Sequence, residues 1–159
     1  MFYQLHRVIH KTERFIYTFC FTYNMRQQTH QEKILRLEKT LSKLSYKEDS
    51  ETIIEDCMLI ASHLINAAMH KLNTLREDRD IKHNQLFGAL KRENLLKDKS
   101  EETALLIQEI EQLRPSYVYG KGENGSAAKK AKEAYFKIKN ICKEISEDKK
   151  DERKSENSS

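Results

Sequence analysis

The chain has no tryptophan, one proline, four glycines and only three cysteines in 159 residues. Folds rich in β-structure need many tight turns, and so little proline and glycine leaves few places to make them. Helices are therefore the default. No stretch approaches the roughly 20 uninterrupted apolar residues that a membrane span requires. Cys20, Cys57 and Cys142 lie far apart in the sequence, which excludes a closely spaced metal clamp or redox dithiol. They read as buried, reduced thiols, and so point to the cytoplasm. A chain of this length holds a single domain, one that buries roughly two thirds of the surface its unfolded form exposes.

What is present is charge and aliphatic residues. Charged residues make up 34% and hydrophobic residues 38%, with a mean hydropathy of −0.81. That composition can fill the inside of a helical bundle whose outer faces are solvated. Residues 1–24 stand apart, because they contain seven of the 13 aromatic residues and no stripe of helical period. The segment Phe15-Ile-Tyr-Thr-Phe-Cys-Phe-Thr-Tyr23 favours β-structure and aggregates if exposed. It lacks the cleavage site and long apolar run of a secretory signal. These residues read as an extension, with Met25 a candidate for the natural start.

From residue 25 to 145 the pattern is that of an all-α, antiparallel helical bundle of about five helices. Thr29-His-Gln-Glu32 has the form of a capping box, and Ile34, Leu35, Leu37, Leu41 and Leu44 follow it, placing a first helix over 29–45. Lys47-Glu-Asp-Ser50 starts a second helix that runs to Leu72. Its apolar residues cover more than one face, so it should be the central and most buried helix. A third helix spans 80–91 with Ile81, Leu86, Phe87 and Leu90 inward. Ser100-Glu-Glu opens a fourth with acidic residues at its positive end, carrying Leu105, Leu106, Ile110 and Leu113, and Pro115 is expected to end it. The loop from Pro115 to Gly125 holds three of the four glycines. A fifth helix over 126–145 carries Ala127, Ala131, Ala134, Ile138, Ile141 and Ile145 on one stripe. Residues 146–159 contain no hydrophobic side chain and read as a disordered charged tail.

The formal net charge is +4, and it concentrates in the fifth helix, where six lysines face two glutamates. At 100° per residue Lys129, Lys132, Lys139 and Lys143 fall opposite the apolar stripe. A ridge of this kind can follow a phosphate backbone, although a solvated lysine face is the commoner explanation.

Ala61-Ser-His-Leu-Ile-Asn-Ala-Ala68, His83 at the start of a short helix, and Leu113-Arg114-Pro-Ser-Tyr-Val-Tyr119 ahead of Ala131, Ala134 and Tyr135 form a layout that resembles the HEPN superfamily, in its small prokaryotic stand-alone type. The likeness runs from about residue 51 to 145. It implies a helical bundle that commonly dimerises. Many members are metal-independent RNases whose motif is an arginine followed a few residues on by a histidine. Here Arg114 matches, while the residue five positions on is Tyr119. A phenol with a pKa near 10 is a poor general base at neutral pH, where an imidazole is a good one. The resemblance implies an RNA- or nucleotide-binding module, a weak or inactive RNase of a toxin–antitoxin type of pair. Arg114, Tyr117, Tyr119 and the lysines Lys129, Lys132, Lys139 and Lys143 would form the site. The alternative is a protein-interaction module without nucleic-acid binding, either a homodimer or the partner of a minimal nucleotidyltransferase. Arg76 and His83 also match the motif spacing but lie away from the position the family uses, so they read as coincidence. His63 and His70 share one side of the second helix. With no carboxylate or cysteine near them in sequence they read as core or interface residues, and no metal or other cofactor is expected.

Overall fold

The computed structural model describes residues 27–119 and 125–156. The expectations for residues 1–24, for Met25 as the start and for Gly120 and Gly122 fall outside that range. Among the described residues there are five α-helices and no strand: α1 Gln27–Leu41, α2 Ser50–Leu72, α3 His83–Arg92, α4 Ser100–Tyr117 and α5 Gly125–Glu156, with a single 3-10 turn at Lys97–Lys99. The all-α bundle expected from the apolar periods is the fold observed.

Helix α2 is the hub. It packs against α1, α4 and α5, while α3 rests mainly on α4. Ile53, Ile54, Cys57, Met58, Ile60, Ala61, Leu64, Ile65, Ala68 and Met69 are all buried on it. It is long and apolar enough to cross a membrane, yet 78% of its most apolar window is buried inside the protein, as befits the central helix of a bundle. Most of its apolar surface is thus covered within one chain, with Leu59 left 36% exposed. Against α2 lies the stripe of α5, in which Ala127, Ala131, Ala134, Ile138, Ile141 and Ile145 are buried as spaced. Small alanine side chains let two helix axes approach closely.

Several boundaries depart from the sequence pattern, each for a local reason. Helix α1 already includes Thr29, so the expected capping box is not a cap; the helix ends at Leu41. Helix α2 ends on Asn73 in the left-handed conformation (φ 59°), with Asn73 N–H donating to His70 O and Thr74 N–H to Met69 O. Asparagine tolerates that conformation better than other side chains with a Cβ. Helix α3 starts at His83 and not at Asp80. The Asn66 side chain pairs with both backbone groups of Ile81, at 3.0 Å to its oxygen and 2.8 Å from its nitrogen, and holds that residue out of the helix.

Pro115 does not end α4, which continues to Tyr117. Proline removes one ladder bond, and in the last turn the loss is confined to the Glu111 carbonyl. The turn is closed behind it by Val118 and Tyr119 N–H groups, both donating to Arg114 O. On α4 the inward position next to Leu106 belongs to Ile107, while Leu105 points to solvent with half of its surface exposed. The expected charged tail is helical as far as Glu156. Lysine and glutamate are good helix formers, and Lys143 and Glu147 pair one turn apart at 3.8 Å.

Cys57 and Cys142 are free and buried, and burial pushes both thiols up to about 12. Nucleophilic attack needs the thiolate. At pH 8 a disulfide reagent should modify these two cysteines at least about a thousandfold more slowly than an ordinary exposed thiol. Reaction at full speed after addition of denaturant, followed by mass, completes the check.

Candidate functional site

The arginine and tyrosine singled out by the sequence do meet. Arg114 sits near the C-terminal end of α4, and the turn after it brings Tyr119 back over its guanidinium, whose carbon lies 5.4 Å from the ring centre. Arg114 Nη2 donates to Tyr119 Oη at 2.6 Å. Two carboxylates complete the group. Glu55 on α2 accepts from Arg114 Nε at 3.1 Å and from Nη2 at 3.0 Å. Glu111, one turn back on α4, accepts from Nη1 at 3.1 and 3.0 Å through its two oxygens. Tyr119 Oη in turn donates to Glu55 at 3.2 Å.

Every nitrogen of the Arg114 side chain is therefore engaged, and the residue is 8% exposed. Burial works against its charge, but the hydrogen bonds and negative charges of Glu55 and Glu111 outweigh that and raise its pKa further. Two carboxylates stand where a phosphate would have to dock. The Tyr119 hydroxyl is held above its ordinary pKa by desolvation and by the charge of Glu55. At neutral pH it is a phenol, and the nearest imidazoles are elsewhere in the fold. Tyr117 is half-buried and packs against the core instead of presenting its ring. Geometrically this is an ion network joining α2 to α4, with Tyr119 70% exposed beside it.

The lysines do not form one ridge. Lys139 folds across to α1 and pairs with Glu38 at 2.7 Å; the same carboxylate accepts the Tyr135 hydroxyl. Lys143 lies toward Glu147. Lys129 and Lys132 both lean over the Tyr46 ring, at 5.8 and 5.0 Å from its centre. The expected outward positive stripe is thus broken in its middle, because Lys132 and Lys139 flank the apolar stripe closely enough to reach the loop after α1 and α1 itself, while Lys129 and Lys143 stay exposed.

A second polar group went unforeseen. His30 on α1, His63 and His70 on α2 and Asp80 in the loop after it converge. His30 Nδ1 lies 3.1 Å from His63 Nδ1, His30 Nε2 lies 3.1 Å from Asp80 Oδ1, and His70 Nε2 lies 2.9 Å from that same oxygen. His63 is lowered to about 4 by burial and by the neighbouring His30 and Lys33, against a smaller opposing effect of Asp80. It is a neutral imidazole at ordinary pH. His63 and His70 have no carboxylate beside them in the sequence, and the fold supplies one in Asp80. Seven-residue spacing on α2 pointed to the two histidines; nothing local pointed to His30 or Asp80.

No protein family, no curated protein and no solved structure matches this chain.

Proposed function

We propose that the chain is a HEPN-like helical module that holds a protein partner and does not cut RNA. The observation that carries this reading is the closure of Arg114 on Glu55, Glu111 and Tyr119. An arginine whose fork is filled by two carboxylates is not available to a phosphate, and a phenol with a raised pKa is no general base at pH 7. A separate exposed surface is left for binding. Leu35 on α1, 66% exposed, borders a groove of about 420 Å³ floored by Ile34, Leu64, Ala67 and Ala68. The partner this surface fits is a second copy of the chain or a minimal nucleotidyltransferase, and Leu35 is the anchor.

A nucleic-acid reading rests on a different observation, the basic edge at Lys129 and Lys132 beside Tyr46. Such an edge binds through counterion release and is weakened steeply by salt.

Sedimentation of the wild type and of Leu35→Glu, together with titration of a single-stranded RNA at low and moderate salt, separates the two. Under our reading the wild type self-associates at tens of micromolar, or binds the nucleotidyltransferase, and Leu35→Glu abolishes that contact. RNA affinity that is strong at low salt, falls with Lys129→Glu and Lys132→Glu, and is indifferent to Leu35→Glu would replace it. RNA affinity lost with Arg114→Ala in a protein that stays folded would refute the closed-arginine argument itself.

A further inference from the structure

Three elements far apart in the chain deliver nitrogen and oxygen atoms to one point. The imidazoles of His30 and His70 are almost fully buried, at 1% and 4% exposure, yet both turn an Nε2 atom toward Asp80 Oδ1. The three atoms lie within 4.8 Å of one another. Asp80, with 23% of its side chain exposed, closes the group on the solvent side.

We propose that His30, His70 and Asp80 form a binding site for a divalent metal ion of the zinc class, with one coordination position left open toward solvent. The donor set decides the class of ion. Two imidazoles and a carboxylate suit zinc and its first-row neighbours, whereas magnesium and calcium require oxygen ligands. Tetrahedral coordination at about 2.0–2.1 Å places neighbouring ligand atoms roughly 3.3 Å apart. The two imidazole–carboxylate distances, 3.1 and 2.9 Å, need to open by a few tenths of an ångström, and the two Nε2 atoms, which lie within 4.8 Å of each other, must come to the same spacing. Three protein ligands and one free position is the donor count of zinc sites that hold a water or a substrate, in contrast to closed four-ligand structural sites.

His63 supplies an outer support. For His30 Nε2 to bind a metal, the proton of that ring must sit on Nδ1, where it donates to His63 Nδ1 at 3.1 Å; a ligating histidine held through its other nitrogen is the usual arrangement. His70 Nδ1 meets no hydrogen-bond partner among the described residues, so on that side of the ring packing alone supports it. Occupancy would tie α1 and the loop before α3 to the central helix.

The test uses the full chain and Zn2+ in competition with a chromophoric chelator, with Co2+ as a spectroscopic substitute and a thermal melt of each sample. One equivalent of Zn2+ should bind and raise the melting temperature by several degrees, and Co2+ should give the intense visible bands of a low-coordinate site. His63→Phe should weaken binding by about 10- to 100-fold, as for other outer supports. Asp80→Asn and His70→Gln should weaken it by more than His63→Phe does. Asp80 is partly exposed, so Asp80→Asn should keep its helicity and remain informative if His70→Gln fails to fold. No uptake at equimolar Zn2+ overturns the proposal. So does uptake that Asp80→Asn and His30→Gln leave unchanged, which would put the ion on other histidines such as His6, His10 or His83.

Discussion

Arg114→Ala should lower the melting temperature by roughly 10 °C, the shift that about 2–3 kcal/mol produces in a domain of this size. The estimate follows from what the substitution leaves behind. Glu55 and Glu111 lose their common partner and face each other and the Tyr119 hydroxyl with no positive charge between them. Breaking a fully buried pair costs about 3–5 kcal/mol, but Glu55 and Glu111 are 28% and 40% exposed and can take up water in its place. Arg114→Lys should recover less than half of the loss, since an ammonium cannot reproduce the planar fork that serves two carboxylates at once. Glu55→Gln combined with Arg114→Met removes both opposed charges across α2 and α4, and should melt closer to the wild type than Arg114→Ala alone. An Arg114→Ala protein that melts within a degree or two of the parent would mean that the network is not holding α4 on α2.

The other large effect is expected at Tyr135. Its ring is 2% exposed in the seam between α2 and α5, in contact with Phe136, and its hydroxyl ends on Glu38 of α1. Tyr135→Ala should cost about 3–5 kcal/mol, the range for deleting a buried aromatic ring. Tyr135→Phe keeps the volume and leaves Glu38 its ion pair with Lys139, so it should cost only about 1 kcal/mol, one hydrogen bond. Urea unfolding of the two variants checks both figures. Equal losses would show that the hydroxyl, and not the ring, holds α5 to α1.

The bundle was legible because its largest seam obeys a period. The stripe from Ala127 to Ile145 and the apolar faces of α2 are patterns within single segments, and both are buried as read. Helix ends were less legible. Asn66 acts on Ile81 from another helix, and no local rule shows that a side chain will hold residues 80–82 out of α3. Leu105 and Ile107 are equally apolar, and only the rotation of α4 against α2 decides which is inside.

The arginine site followed the same division. That Arg114 and Tyr119 share a site was an expectation of the family resemblance, and Glu111 is a helix neighbour. Glu55, which changes the chemical meaning of the arginine, comes from a different helix. Lys132 and Lys139 depart from the expected outward face for a related reason: a helical wheel gives direction from an axis but says nothing of which neighbour, here Tyr46 or Glu38, stands within reach of a long side chain. His30 and Asp80 carry no local mark at all, and only the fold brings them to His70.

The clamp between Asn66 and Ile81 divides the connection from α2 to α3 into two parts that answer differently to change. Beyond Ile81 the chain is anchored to the central helix at both backbone groups of one residue. Before it, Arg76, Glu77, Asp78 and Arg79 are exposed, and the paired side chains of Arg76 and Asp78 lie in solvent. Added residues at Glu77 would be absorbed there, because a loop grows at little entropic cost, and the buried His30 and His70 depend on this loop only through Asp80, three residues further on. Two functional domains joined at that point would leave α3 seated, so the position is the natural place to graft a reporter or a second binding unit onto this bundle.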